Sequence, residues 1–305
     1  MKRNLYGSKS APKLWYNCLY QFVIELGFKN FKSVAGHPCL FIWTIVLEEQ
    51  IIVIVIGIFV DDLLVTGNSI AEIEALRERM NKRFMLTDQG KLEYYLGVEM
   101  SRLDENTLLL HQTAYAMKIL NNFKMNDCNP AKTPLPRDIN LSLLDSPDEV
   151  DPKLQREYRA IVGSLMYLYQ WTRPDLGFAV TFLSRYLHKP GDKHLQAAKH
   201  VLRYLKGTVE LGIRYTRDLA RLMRRDQQLN IMFTLSDSDF AGCKDTFCST
   251  SGYIILMNGS DVAYYSGRQS IVALCKAMAV AKLVVKVKHM RALFSICNAD
   301  NSRRQ

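Results

Sequence analysis

The stretch Ile51–Gly67, IIVIVIGIFVDDLLVTG, decides the fold. From Ile51 to Val60 every residue except Gly57 is apolar, and two adjacent carboxylates, Asp61 and Asp62, precede a second short apolar run, Leu63–Val65. A bilayer-spanning helix needs about 20 apolar residues, so this run is too short to cross a membrane. Its enrichment in Ile and Val, which pack well on a pleated surface, predicts a buried strand. Strand, two Asp and strand make a hairpin with both carboxylates at its tip. Adjacent like charges repel and are costly to dry out unpaired, so a divalent cation at the tip is one explanation of the pair. Asp is also a common turn residue, because its side chain bonds nearby backbone amides, and a plain hairpin turn is the other.

The surrounding chain supplies the layers. Ser10 is placed to cap a helix with Pro12 in its first turn and Gly27 at its end. Leu14, Trp15, Cys18, Leu19, Phe22, Val23 and Leu26 fall on one face of that helix. Leu40–Leu47 and Ile51–Phe59 are expected to pair across the Glu48-Glu49-Gln50 turn. Ser69, with Glu72 three residues on, reads as a capping box opening a second helix lined by Ile70, Ile73, Leu76, Met80 and Phe84. Helices on one face of an antiparallel sheet give an α+β layer.

Further on, Lys91–Glu99 and Leu108–His111 read as strands and Thr113–Asn122 as a helix. Residues 129–153 carry five prolines with scattered Asp and Ser, and read as a linker without its own core. Three helices are expected near Leu154–Gln170, Pro174–Leu187 and Lys193–Lys206. His188, His194 and His200 there read as surface or satisfied residues. Strands ending at Ser236-Asp237 and spanning Gly252–Met257 and Asp261–Ser266 follow, the last two joined by an Asn258-Gly259 hairpin turn and followed by a helix.

At 305 residues, 48% apolar and 23% charged, the chain has room for two domains with real cores, and wholesale disorder is excluded. The formal net charge of +10 is uneven: Arg185 to Asp226 holds eleven Lys or Arg against four Asp or Glu. Such a band suits a polyanion, and a solvated helix face is the alternative. Contact with about seven phosphates would give a log–log salt slope near −6. Seven cysteines without a CxxC pair argue against a disulfide framework or a thiolate zinc site. No signal peptide or transmembrane segment is visible, so an intracellular location, cytoplasmic or nuclear, is expected, with no membrane partner.

Several motifs, in one order over nearly the whole chain, resemble those of copia-type LTR retrotransposon reverse transcriptases with ribonuclease H. Phe59–Asp62 is similar to the family's Tyr-x-Asp-Asp hairpin. Leu5–Trp15 (LYGSKSAPKLW) resembles LYGLKQAPRAW, and Phe84–Gly97 (FMLTDQGKLEYYLG) resembles FxMTDLGxLxYFLG. Gly163–Leu168, Thr172–Asp175, Val201–Thr208 and Ser249–Tyr253 continue the match.

The resemblance implies a polymerase palm-like antiparallel sheet with helices, a helical connection and a truncated ribonuclease H-like α/β domain. Its expected limits are 1–128 for the palm and the start of the thumb, 129–153 for the linker, 154–228 for the connection and 229–305 for the ribonuclease H-like part. It implies Asp61, Asp62 and Asp237 as catalytic metal ligands, with Gly7 and Lys9 near nucleotide and template. Arg185, Lys199, Arg203 and Lys206 are the expected nucleic-acid contacts. The implied cofactor is Mg²⁺, with Mn²⁺ as its substitute. The implied partners are RNA template, DNA primer or RNA–DNA hybrid, and a complementing polymerase fragment.

Two departures weigh against activity of the chain alone. The family's upstream Asp, which precedes the Leu5–Trp15 motif, has no counterpart, and the fingers and first palm strand are expected to be absent with it. In the ribonuclease H-like part Cys275–Val280 spans the family's STAEAEY, with Met278 and Val280 where Glu is expected; Phe247 replaces an Arg and Cys248 a Lys. Three readings follow: an impaired polymerase piece, a nucleic-acid-binding module, or a non-functional remnant of a decayed element.

Overall fold

The computed structural model describes residues 10–31, 38–47, 50–216, 232–257 and 260–270. The chain is α+β with antiparallel sheets and forms two units that divide between Asp88 and Gln89. That division falls earlier than the expected limit at residue 128.

In the first unit, α1 (Ala11–Glu25) leads into a four-stranded antiparallel sheet ordered β1 (Lys29–Asn30), β2 (Leu40–Val46), β3 (Ile51–Phe59), β4 (Asp62–Gly67), and α2 (Ile70–Asn81) follows. Strand β3 is the axis of the unit. Its even positions, Ile54, Ile56 and Ile58, pack with Leu19, Phe22 and Val23 of α1 and Leu76 and Met80 of α2. Its odd positions, Val53 and Val55, join Phe31 and Ile42 in a smaller cluster on the other face. A continuous Ile/Val run is therefore buried on both sides, each side chain contributing roughly 1.5–3 kcal/mol relative to exposure.

Gly27, at φ +92°, ends α1 in a Schellman turn, with Phe28 N donating to Val23 O and Gly27 N to Ile24 O. Ser69 caps α2 by accepting from Glu72 N at 3.4 Å. Asn68 completes the sheet beside it: its side chain accepts from Val53 N and donates to Ile51 O, both at 2.7 Å.

Three expectations for this unit are corrected. Ser10 does stand at the N-cap of α1, where its carbonyl accepts from Leu14 N, but its backbone is already in the α region and its hydroxyl makes no capping bond. Leu14 is 52% exposed, because it stands in the first turn before the helix reaches the sheet. Ile70, the first residue of α2, is 81% exposed for the same reason.

The second unit begins with β5 (Tyr94–Tyr95), β6 (Val98–Arg102) and β7 (Thr107–His111), then α3 (Thr113–Asn122). The expected single strand Lys91–Glu99 is instead a tight hairpin. Leu96 (φ +52°) and Gly97 (φ +83°) both adopt the left-handed conformation that a two-residue primed turn requires. Strand β8 (Gly212–Thr216), which sequence reading left out, pairs with β7 from Thr107↔Thr216 to His111↔Gly212. This pairing joins the β5–β7 sheet to the helical part of the chain and accounts for the early division.

Helices α4 (Pro152–Trp171), α5 (Gly177–Leu183, flanked by 3-10 turns) and α6 (Asp192–Lys206) pack with α3 around Tyr158, Ile161, Leu165, Val180, Val201 and Leu202. The proline-rich segment before α4 buries Leu135 and Leu141 in that same core. It has no core of its own, yet it is docked and not a free tether. The remaining sheet is antiparallel, in the order β11 (Ser260–Arg268), β10 (Thr250–Met257), β9 (Met232–Ser238). The Asn258-Gly259 turn and the helix expected after β11 lie outside the described residues. Among the described residues no helix is long and apolar enough to cross a membrane.

Candidate functional site

The β3–β4 hairpin carries the acidic tip that the sequence singles out. Phe59 pairs with Asp62, leaving Val60 and Asp61 as a two-residue connection. Val60 sits at φ +53°. A β-branched residue in the left-handed region carries about 1–2 kcal/mol of strain, and such strain persists only where the surroundings enforce it. Here the enforcement comes from α1: the Trp15 indole Nε1 donates to Val60 O at 2.9 Å. Trp15 is held in turn by an edge-on contact with Phe84, ring centroids 5.4 Å apart.

Asp61 and Asp62 are both exposed. Directly opposed residues on antiparallel strands share a face, so Asp62 lies on the side of Phe59, the face turned away from α1 and α2. Gly57 and Leu64 oppose each other on that same face, and Gly57 contributes no side chain there. Among the described residues neither Asp61 nor Asp62 forms an ion pair. None of those residues makes a group of three or more His, Cys, Asp or Glu able to hold a metal. The tip therefore offers hard carboxylate oxygens from two adjacent residues on a stiff support, which suits a hard divalent cation but leaves its coordination incomplete.

Gly7 and Lys9 lie outside the described residues. Asp237 belongs to the second unit, near the end of β9, opposite Gly252. It is exposed, and its Oδ1 accepts from Ser238 N at 2.8 Å. The nearby Asp239 is occupied structurally: its Oδ1 accepts from Thr250 N at 2.6 Å while its own N donates to Thr250 O. Residues 275–280, where the sequence lacks the family's Glu, lie outside the described residues.

Three of the four cations singled out on and near α6 are turned to protein acceptors. Arg185 donates to Thr250 Oγ1 at 2.9 Å and stacks over Phe182. Lys199 pairs with Glu157 at 2.8 Å, and Arg203 Nε donates to Asn129 O at 2.8 Å. Lys206 is half-buried in the last turn of α6.

Sequence reasoning treated Trp15 as packing alone and attached no role to Arg173. Arg173 is 2% exposed and binds Asp175 through two parallel hydrogen bonds, at 3.0 and 2.8 Å. It also donates to the carbonyl and the hydroxyl of Thr208, and Tyr204 donates to Asp175 at 2.9 Å. The Thr172–Asp175 and Val201–Thr208 motifs thus lock to each other. An Arg-Pro-Asp triplet between two helices is the one local signal that could have revealed the pair.

Comparison with known proteins shows the family. Residues 1–137 match the family of reverse transcriptases (RNA-dependent DNA polymerases). The retrovirus-related Pol polyprotein of transposon RE1 from Arabidopsis thaliana is 35% identical over 269 residues, which is 88% of this chain and 17% of that protein. That of a Nicotiana tabacum transposon is 32% identical over 90% of this chain and 20% of its own length. An uncharacterized mitochondrial protein of Arabidopsis thaliana is 35% identical over 71% of this chain and 84% of itself. The chain thus spans about a fifth or less of the polyproteins it matches. No solved structure matches.

Proposed function

We propose, from the premise that this chain belongs to the reverse transcriptase family of copia-type retrotransposon Pol polyproteins, that its β3–β4 hairpin is the metal-binding tip of a polymerase palm. Its partners on this reading are an RNA template, a DNA primer or their hybrid, and its metal is Mg²⁺, with Mn²⁺ as the substitute. The observation that carries the reading is the strained, Trp15-braced tip, which presents Asp61 and Asp62 to solvent without an ion-pair partner among the described residues.

Divalent metal in such a palm lowers the pKa of the primer 3′-hydroxyl and neutralises charge on the transferring phosphate. The part of this chain is to hold oxygen ligands in place. β3 fixes the hairpin base between two apolar clusters, Trp15 fixes the turn, and the sheet register sets Asp62 on the open face. Asp61 and Asp62 from one turn would hold one cation weakly, and the two-metal chemistry of the family would need a further carboxylate. The loss of one charge partner of this kind typically lowers a rate a hundredfold or more. On this reading the chain alone extends primers slowly or not at all. A primer-extension assay on the purified chain with Mg²⁺ tests it: robust extension that disappears in Asp61→Asn contradicts the incomplete site.

The β9–β11 sheet, with Asp237 at its edge, corresponds on this reading to a ribonuclease H-like part. Met278 and Val280 cannot ligate metal, so RNA cleavage by that part is not expected. The runner-up role is a nucleic-acid-binding module using the basic stretch from Arg185. It is weakened by the internal partners of Arg185, Lys199 and Arg203.

A further inference from the structure

The loop between Cys243 and Cys248 brings the backbones of two cysteines into contact across one turn. Cys243 N donates to Cys248 O at 3.1 Å, and Phe247 N closes the loop by donating to Cys243 O at 2.7 Å. Phe247 takes the left-handed conformation at φ +52°, which lets so short a loop turn back. Cys243 therefore faces the Phe247–Cys248 step as one residue against two, and the direct backbone hydrogen bond to Cys248 holds the two cysteines at the short range, roughly 4.4–6.8 Å between Cα atoms, that a disulfide spans.

Thr250, two residues after Cys248, opens β10 and pairs with Arg268. From there Arg268 reaches Cys243 Sγ at 3.8 Å and Thr246 Oγ1 at 3.4 Å, which brings a guanidinium to the loop that holds both cysteines. Burial by itself would raise the Cys243 thiol; the hydrogen bonds from Thr246 and Arg268 outweigh it and hold the thiol below its ordinary range. The two cysteines differ in access: Cys243 is 2% exposed, whereas Cys248 is half-buried.

We infer that Cys243 and Cys248 form a reversible redox pair, in which the accessible Cys248 reacts first with a small disulfide oxidant and the guanidinium-assisted Cys243 resolves it. The Cys248 thiolate attacks one sulfur of the oxidant, forming a mixed disulfide and expelling one oxidant thiolate. The Cys243 thiolate then attacks the Cys248 sulfur, forming the intramolecular bond and expelling the second oxidant half. The two protein thiols lose two electrons and two protons, and the oxidant disulfide is reduced to two thiols. This is a switchable modification and not the structural disulfide framework that the cysteine count argues against.

Trypsin makes the inference easy to read. Cleavage after Arg225, Lys244 and Arg268 separates the two cysteines into Asp226–Lys244 and Asp245–Arg268, each holding one cysteine. The reduced full chain is incubated with oxidised glutathione, blocked with iodoacetamide, digested without reductant and analysed by mass spectrometry. The expected result is one species in which these two peptides are joined, separated again by dithiothreitol. In Cys243→Ser, Cys248 should stop as its glutathione adduct; in Cys248→Ser, Cys243 should be recovered mostly alkylated after denaturation. Far-UV circular dichroism checks that both variants fold. Separate glutathione adducts on both wild-type cysteines, or Cys243 joined to any other cysteine, overturns the inference.

Discussion

The Trp15 indole donates a hydrogen bond to the carbonyl of Val60, 45 positions along the chain, and Val60 is the one residue of the acidic hairpin with a left-handed backbone. A helix thus holds the turn whose carboxylates define the candidate site. Trp15→Phe keeps most of the ring packing and removes the donor. It should lower the stability of the first unit by about 1 kcal/mol, the usual net worth of one hydrogen bond, read as a lower urea midpoint at unchanged m-value. Val60→Asn should act in the opposite sense, because Asn tolerates the left-handed region, and should raise the stability by roughly 0.5–1 kcal/mol, read as a higher midpoint.

The Arg173–Asp175 pair should be far less tolerant. Arg173 is buried and its fork is matched by the carboxylate and by Thr208. Arg173→Lys cannot reproduce two parallel bonds, and Asp175→Asn leaves the guanidinium without its counter-charge. Arg173 is buried while the Asp175 side chain is 29% exposed, so removing a partner should cost about 2–3 kcal/mol, below the roughly 3–5 kcal/mol of a fully buried pair, read as a lower urea midpoint of the second unit. A stability loss below about 1 kcal/mol would show that the pair is dispensable.

Gly97 is irreplaceable for two separate reasons. Its φ of +83° disfavours any side chain, and an added Cβ would lie 2.0 Å from the Tyr167 hydroxyl. Tyr167 itself donates to Leu96 O at 3.2 Å, and Gln112 donates to Gly97 O at 3.2 Å. Gly97→Ala should therefore destabilise the second unit by at least about 2 kcal/mol, and pairing it with Tyr167→Phe should recover only the steric part. Thermal denaturation of both variants and the double variant checks this.

The second unit should also lose stability in mild acid. His194 is fully buried, accepts from Gly191 N through Nδ1, and stacks on Tyr186 at 4.2 Å between ring centroids. Burial pushes its pKa below the ordinary His value and raises the Tyr186 hydroxyl to about 12. The unfolded chain, with His near 6.5, binds more protons than the folded one, so the contribution is intact above about pH 6.5 and is lost as pH falls below it. Asp145, held low by its hydrogen bond from Lys193, adds a loss of the same sign at more acidic pH. Urea midpoints from pH 7.5 to 5 should fall for the wild type and fall less for His194→Asn.

Much of this architecture was legible because period and composition coincide. The Ile/Val run of β3, the Ser69 cap and the Gly27 stop all act within a few residues, and the structure places β3, α2 and the end of α1 where those signals lie. What was hidden depends on distant partners. Leu96 gives no local sign of a left-handed turn; the turn is enforced with Gly97 by Tyr167 and Gln112. Strand β8 is short and mixed in polarity, and only its pairing with β7 defines it. At the candidate site, the adjacent Asp61 and Asp62 were visible at once, while the brace from Trp15 was not: the residue looked like ordinary core, and half of its role is a polar contact.

Whether the β3–β4 tip is a divalent-cation site can be read by titrating the full chain with Mn²⁺ and following free Mn²⁺ by electron paramagnetic resonance. Saturable binding of Mn²⁺ that Mg²⁺ displaces is expected, weakened at least about tenfold in Asp61→Asn and Asp62→Asn with the fold intact by circular dichroism. Binding of equal strength in the wild type and both variants, or none in any of them, would contradict it.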